Sequence, residues 1–227
     1  MDNSLSHLNV EIISCRKCPR LVEWREKVAR EKVARFSDWD YWGKPVAGFG
    51  DPNARVLIVG LAPAAHGANR TGRLFTGDKS GEWLYGTLYK FKFANKPVSI
   101  SADDDLRLND CYISAVIRCA PPANKPLREE MENCQPYLLS ELSILKNIQV
   151  VVALGKIALD WTIASFEKFG MASFEKKPKF GHGVQFKINE KITLISSYHP
   201  SQQNTFTGKL TQPMFDSVFR TVRKLLK

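Results

Sequence analysis

Three short apolar runs constrain this chain more than any other feature. They are Arg55-Val-Leu-Ile-Val-Gly60, Cys111-Tyr-Ile-Ser-Ala-Val-Ile117 and Gln149-Val-Val-Val-Ala-Leu154. None alternates apolar with polar residues, so each reads as a strand covered on both faces. The segments between them supply the cover. Residues 20–36 carry Leu21, Trp24, Val28 and Val33 among charged side chains, the pattern of an amphipathic helix. Residues 83–91 and 156–167 also read as helices. So do residues 127–146, with Glu129 and Glu130 in the first turn, where the helix dipole favours them. Residues 185–188 and 192–197 read as a hairpin or two sheet strands, and 213–226 as a closing helix with Pro213 near its start. The expected fold class is therefore α/β: a three-layer α/β/α sandwich with a central, mostly parallel four-stranded sheet. With 227 residues the chain suits one such domain better than two, so a single domain over 1–227 is expected.

Charge narrows the partners. Thirty-three Lys and Arg against 23 Asp and Glu leave a net charge of +10. A surplus of that size favours a polyanion such as DNA, because bound cationic side chains release condensed counterions. The plain alternative is a basic protein from a basic proteome. No apolar run reaches the roughly 18–20 residues needed to span a bilayer, and the first ten residues are polar with no signal core. A cytoplasmic location with no membrane partner is expected.

In sheets of this kind ligands bind beyond the carboxyl ends of the strands. Two polar loops leave such ends. The first reads Gly60-Leu-Ala-Pro-Ala-Ala-His-Gly-Ala-Asn-Arg-Thr-Gly-Arg-Leu-Phe-Thr-Gly-Asp78. Its small residues let backbone approach a ligand closely, and it offers one carboxylate, Asp78, and one aromatic ring, Phe75. It is not a phosphate-binding P-loop, since no Gly-Lys-Ser/Thr ends it. The plain alternative is a surface loop in which Asp78 caps the next helix. The second loop, from Tyr198 to Thr211, holds His199, Ser201, Asn204, Phe206, Thr207 and Lys209. It can bind phosphate and present an imidazole to a developing anion. A histidine there can equally be a packed, hydrogen-bonded residue.

The cysteines number five, at 15, 18, 111, 119 and 134. An odd count in a cytosolic chain argues against a disulfide framework. Cys15-Arg-Lys-Cys18 presents two sulfurs to one metal or cluster, or makes a redox pair. The redox reading is weak, because no strand precedes the pair as a thioredoxin-like unit requires. A zinc deaminase is excluded, since no His-x-Glu occurs anywhere in the chain.

Together the two loops and the cysteine pattern resemble the uracil-DNA glycosylase superfamily, and above all its type 5, or B-type, branch. The residues that carry the resemblance are Gly60-Leu-Ala-Pro-Ala-Ala-His-Gly with Asn-Arg-Thr-Gly-Arg-Leu-Phe-Thr-Gly-Asp78, and His199-Pro-Ser-Gln-Gln-Asn204 with Thr207-Gly-Lys-Leu-Thr211. Cys15-Arg-Lys-Cys18-Pro, Arg118-Cys-Ala-Pro-Pro and Cys134-Gln-Pro-Tyr complete it. The likeness runs from about Cys15 to the C-terminal helix. It implies a monofunctional glycosylase that hydrolyses the N-glycosidic bond of deaminated bases in DNA, initiating base excision repair. Uracil comes first, with hypoxanthine and xanthine beside it. It also implies a [4Fe–4S] cluster on Cys15, Cys18, Cys119 and Cys134. Soft thiolates suit iron–sulfur or zinc, and spacing alone does not choose between them. Cys111 has no place in the motif and reads as a small core residue. The expected setting is the nucleoid of a prokaryote, with the enzyme a monomer. A sliding clamp is compatible as a partner, but no segment argues strongly for one.

By the same resemblance, Phe75 would stack on the extruded base and His199 would hydrogen-bond its carbonyl. Other branches carry Asp, Asn or Glu early in the first motif. Here Leu61 and Ala64 stand in that neighbourhood, so Ala64 would line the base pocket without activating water, and Asp78 would take that role. A related branch reads uracil's amide edge with an Asn four residues before the third cysteine. Ala115 occupies that position here, which implies a roomier and less selective pocket. Asn124 is the polar candidate to take over base contact. Ser201, Asn204, Thr207 and Lys209 would face the DNA backbone, and Phe206 would wedge into the stack. No lysine is placed by a motif to form a Schiff base, so no strand cleavage is expected. The rival reading is a non-catalytic iron–sulfur DNA-binding protein on the same fold.

Overall fold

The three apolar runs become neighbouring strands of one sheet. In the computed structural model, which describes residues 4–174, 176 and 178–226, the chain order begins α1 (Leu5–Ser14), α2 (Pro19–Glu31) and a 3-10 turn at Ala34–Phe36. It continues through β1 (Phe49–Gly50), β2 (Val56–Gly60), α3 (Ala68–Thr71), α4 (Lys79–Lys90) and β3 (Cys111–Ala115). A second 3-10 turn at Pro122–Asn124 leads to α5 (Arg128–Ile144), β4 (Val150–Leu154) and α6 (Lys156–Lys168). The chain closes with β5 (Gln185–Lys187), β6 (Thr193–Ser197), α7 (Gln202–Phe206) and α8 (Gln212–Leu225). The expectation of one domain over 1–227 also covers Met1–Asn3, Glu175, Lys177 and Lys227, which lie outside the described residues.

The sheet order is β1-β3-β2-β4-β6-β5. The four central strands are parallel, with Val56 beside both Cys111 and Val150, and Val150 beside Thr193. This is the expected parallel core. The sheet as a whole has six strands, because β1 and β5 add one antiparallel edge on each side. Two- and three-residue edges that are only partly buried leave no apolar run to read.

Every residue of β2, β3, β4 and β6 is buried. Leu57, Val59, Tyr112, Val151, Ala153 and Leu194 pack with Leu8 and Ile12 of α1, Leu138 and Leu142 of α5, and Leu159 and Phe166 of α6. Val56, Ile58, Ile113, Val150, Val152 and Ile195 pack with Leu84 and Leu88 of α4 and Phe215, Phe219 and Val222 of α8. Two covered faces are why the strand sequences do not alternate. Each buried Val, Leu, Ile or Phe side chain among them is worth about 1.5–3 kcal/mol of transfer free energy.

Element ends differ from the expectations for local reasons. The helix expected over 20–36 stops at Glu31, where Lys32 adopts a left-handed φ of 54°. The helix expected from Trp83 starts at Lys79, because the Asp78 side chain accepts from Gly81 N–H at 2.9 Å as its N-cap. The second strand ends at Ala115 rather than Ile117, although Val116 and Ile117 N–H still donate to Gly60 and Leu61 carbonyls at 3.0 Å. No helix of the described residues is long and apolar enough to cross a membrane.

Two polar links tie the layers together. Arg118 and Glu141, at 1% and 0% exposure, pair at 2.6 Å, and Ser114 donates to the same carboxylate oxygen at 2.5 Å. Removing one partner of such a buried pair costs about 3–5 kcal/mol. Arg20 forks onto Glu130 with two bonds of 2.7 Å, joining the start of α2 to α5.

Candidate active site and cysteine cleft

The carboxyl ends of β2 and β6 open onto one cavity of about 690 Å³. The loop after β2 contributes Leu61, Ala62, Ala64, His66, Phe75 and Asp78 to its lining. The 3-10 turn after β3 contributes Ala123 and Asn124, and the loop after β6 contributes His199, Ser201, Gln202 and Gln203. Arg35 also lines it. The first loop holds its shape through its own side chains. Arg70, 3% exposed, donates to His66 O at 2.8 Å and Gly77 O at 3.1 Å, and its guanidinium lies over Phe36 and Trp39. Tyr85 donates its hydroxyl to Leu74 O at 2.7 Å, next to Phe75.

Three cavity residues have strained backbone. Phe75, Ala123 and Asn124 sit at φ 54°, 51° and 55°, a region that non-glycine residues seldom adopt. Strain of about 1–3 kcal/mol per residue persists only where the surroundings fix it, and it concentrates at functional sites. For Phe75 close packing does the fixing. A Cβ on Gly60 would meet the Phe75 ring at 2.8 Å, and one on Gly81 would meet Phe75 O at 1.7 Å. The Phe75 ring then stacks on His199, with centroids 5.9 Å apart and planes 27° apart.

Asp78 does two jobs at once. One carboxylate oxygen caps α4, and the other lies so close to Gly67 that a Cβ there would meet it at 2.4 Å. It thus caps the helix, as the plain alternative expected, while also lining the cavity. Burial pushes its carboxyl above the usual range, opposed by the N–H groups at the start of α4. His199 is pushed down to about 4 by burial alone. Its imidazole is therefore neutral at pH 7, which the sequence did not decide. Its backbone carbonyl accepts from the Asn204 side chain at 2.8 Å.

The remaining expected site residues fall into three groups. Ala64, Asn124 and Ser201 line the cavity with Phe75, Asp78 and His199. Asn204, Phe206, Thr207 and Lys209 lie outside the lining, on and after α7. Phe206 is 79% exposed there, Thr207 donates to Gln203 O, and the Lys209 ammonium lies over the Tyr198 ring. Ala115 is 1% exposed, beside Gly60 in the sheet register, and packed in the apolar layer next to Phe75. Sequence reasoning missed Arg35 and His66 as lining residues. His66 stood inside the quoted motif, and its Nδ1 pairs with Tyr41 OH at 3.1 Å. Arg35 comes from beyond the end of α2, and nothing in the sequence links it to the strand ends.

A second, closed cleft gathers Cys15, Cys18, Cys119 and Cys134, with Lys17 and Arg118 beside them. Cys15 is the C-cap of α1 and Cys18 the N-cap of α2. Cys119 directly follows Arg118 of the buried ion pair, and Cys134 lies within α5. All are free thiols. Burial pushes Cys119 up to about 11 and Cys134 up to about 12. Burial outweighs the nearby arginines at these two thiols, and with the half-buried Cys15 and Cys18 they gather four sulfurs in one cleft, a donor set that suits a soft metal centre able to displace thiol protons. Among the described residues no three His, Cys, Asp or Glu side chains are grouped as a single metal ion would need. Cys111 lies apart, fully buried in β3 as a core residue.

A parallel α/β sheet with a cavity of about 690 Å³ at its carboxyl end is the architecture on which the two motif loops converge. The family model for the uracil DNA glycosylase superfamily matches residues 47–223, and the chain belongs to that superfamily. Relatives that are 42–50% identical over at least 92% of this chain are type-5 uracil-DNA glycosylases. It is 50% identical to the type-5 uracil-DNA glycosylase of Mycobacterium tuberculosis over 98% of this chain and 82% of that protein. It is 47% identical to that of Thermus thermophilus over 94% of both chains. For that of Pyrobaculum aerophilum the identity is 42%, over 92% and 88% respectively.

Proposed function

We propose that this protein is a monofunctional DNA glycosylase. It hydrolyses the N-glycosidic bond of uracil in DNA, accepts hypoxanthine and xanthine as well, and so initiates base excision repair. It works as a single-domain monomer in the prokaryotic cytoplasm, on nucleoid DNA. The observation that carries this reading is the cavity of about 690 Å³ that collects Phe75, Asp78, Asn124 and His199 from three separate loops of a uracil-DNA-glycosylase-like sheet.

Bond cleavage separates a base anion from an oxocarbenium-like sugar, after the nucleotide has left the stack. A neutral His199 donates a hydrogen bond to the base carbonyl and stabilises the anion without needing a proton of its own to give up. Asp78 carries the negative charge that steadies the sugar cation and orients water. A carboxylate pushed above its usual range is a better base than an exposed one. Phe75, fixed by Gly60, Gly81 and His199, presents a ring to the base. Ala64 lines the cavity with a methyl group where other branches use a polar side chain, which widens the range of bases accepted; Ala115, buried beside Gly60 and outside the lining, offers the base no polar group either. Asn124 supplies the amide for base contact. Phe206, exposed at the end of α7, is the wedge that fills the vacated stack, with Ser201, Asn204, Thr207 and Lys209 along the phosphates.

Cys15, Cys18, Cys119 and Cys134 would hold a [4Fe–4S] cluster. When bound, it fastens the N-terminal helices to the β3 exit and α5, and the residues of the cavity do the chemistry.

The test is a duplex with one uracil or one hypoxanthine, end-labelled, incubated with the protein and then treated with hot alkali. Strand breaks that need the alkali establish a monofunctional glycosylase. Breaks without alkali would reveal a lyase. Abasic sites from neither base, in a protein that still binds DNA, would mean a binding module.

A further inference from the structure

Arg25 is a cation at 2% exposure, on the face of α2 that looks into the molecule. Its guanidinium donates to Cys119 Sγ at 2.9 Å and to Cys15 O at 3.3 Å. Glu26, at 3.9 Å, is its nearest carboxylate and is itself bonded to Arg16 at 2.5 Å. By contrast the charge of Arg118, the other buried arginine at this cleft, is balanced by Glu141 at 2.6 Å. Nε of Arg25 has no hydrogen-bond partner among the described residues. Burying a guanidinium this far from full compensation is expensive unless an anion shares the site.

The backbone of the same residue is bonded to the loop that carries Asp78. Its backbone carbonyl accepts from the Asn69 side chain at 3.2 Å. Asn69 is fully buried in α3, and its own carbonyl accepts from Gly43 N–H at 3.0 Å. Gly67, the residue preceding α3, is the one against which the Asp78 carboxylate packs. One residue thus touches a cysteine sulfur with its side chain and the catalytic loop with its backbone.

We propose that Arg25 is a positioning residue that joins the two sites. Its side chain is the charge partner of the thiolate-bound cluster, and its carbonyl, through Asn69, holds the loop that carries Asp78. This rests on the cluster reading given above. Four thiolates make the cleft strongly anionic, and a buried cation beside one sulfur favours the more reduced, more negative state of a cluster.

Two measurements on anaerobically purified protein test it. The first compares wild type, Arg25→Gln and Arg25→Lys by iron and sulfide content, visible absorption and voltammetry. Arg25→Gln is expected to move the cluster's reduction potential to a more negative value, and Arg25→Lys to hold it near wild type. Cluster loss from Arg25→Gln alone is the same result in stronger form. Equal potentials in all three, or loss from both variants alike, overturns the charge role. The second is Asn69→Ala, expected to keep wild-type absorption and potential while kcat on a uracil duplex falls about tenfold with KM little changed. An unchanged kcat in that variant overturns the link to Asp78. Wild-type protein without iron or sulfide after reconstitution would instead remove the cluster reading itself.

Discussion

At the scale of single residues, Asp78 offers the cleanest separation of folding from chemistry. Asn is as good an N-cap as Asp, whereas Ala forfeits about 1 kcal/mol of helix stability. Asp78→Asn should therefore melt close to wild type yet lose about 10²–10⁴-fold in single-turnover rate, and Asp78→Ala should lose both. Calorimetry beside single-turnover kinetics on a uracil duplex reads the two effects apart. His199 makes a prediction in pH. Its folded value of about 4 lies below the ordinary 6.5, so the unfolded chain binds this proton more readily. Its stabilising contribution is whole above pH 6.5 and is lost as the pH falls towards 4. The neutral imidazole likewise persists down to about pH 4, so kcat/KM should show no acid limb near 6.5 attributable to His199. A limb at 6.5 that disappears in His199→Gln would contradict a neutral donor. Both residues were legible in the sequence because each sits in a motif loop leaving a strand end. The protonation state was not, since it depends on burial by Phe75 and by residues distant in the chain.

At the scale of elements, what the sequence hid was short or was joined through side chains. The apolar runs announced β2, β3 and β4, but the two-residue β1 left no pattern. Helix α1 also passed unread, although Leu8 and Ile12, one turn apart, are its buried pair. The loop from 198 to 211 read as polar and open. Its anchoring comes from a histidine on a turn far from any motif. His182 accepts from Tyr198 N–H at 3.2 Å and pairs through Nε2 with Met214 O at 3.1 Å, so one ring fastens both ends of the loop that carries His199. With Nδ1 accepting, Nε2 carries the hydrogen. His182→Phe keeps the stacking on Tyr198 but takes the acceptor from Tyr198 N–H and removes one of the donors to Met214 O, which keeps the Ser217 hydroxyl at 2.7 Å. The expected cost is about 1–3 kcal/mol in chemical denaturation, with a weakened kcat/KM on uracil DNA. Wild-type stability and kinetics in that variant would show that the loop is held by other means.

At the scale of the whole molecule, the surplus of ten positive charges needs a destination. Composition gave its sign and size but not its place, because the order of residues says little about which lysines share a face. The fold brings Arg35 and Lys79 into the cavity lining and carries Lys209 on the exposed loop after α7. Arg35 and Lys79 line the cavity, so losing either would mix phosphate contact with effects on the base and the catalytic residues. Lys209 lies outside the lining and is the cleaner probe. For a protein that neutralises Z phosphates, log K against log salt falls with a slope of about −0.9Z on duplex DNA. Lys209→Ala should therefore make that slope shallower by about one, and weaken binding equally for undamaged and uracil-containing duplexes. The single-turnover rate at saturating enzyme should be unchanged, because a phosphate contact outside the cavity sets occupancy rather than the barrier. Fluorescence anisotropy across a salt series, paired with single-turnover gels, gives both readings from the same preparation. A slope that stays at the wild-type value would place Lys209 off the DNA. A rate that falls at saturation would mean instead that its contact with the Tyr198 ring, next to His199, orders the cavity.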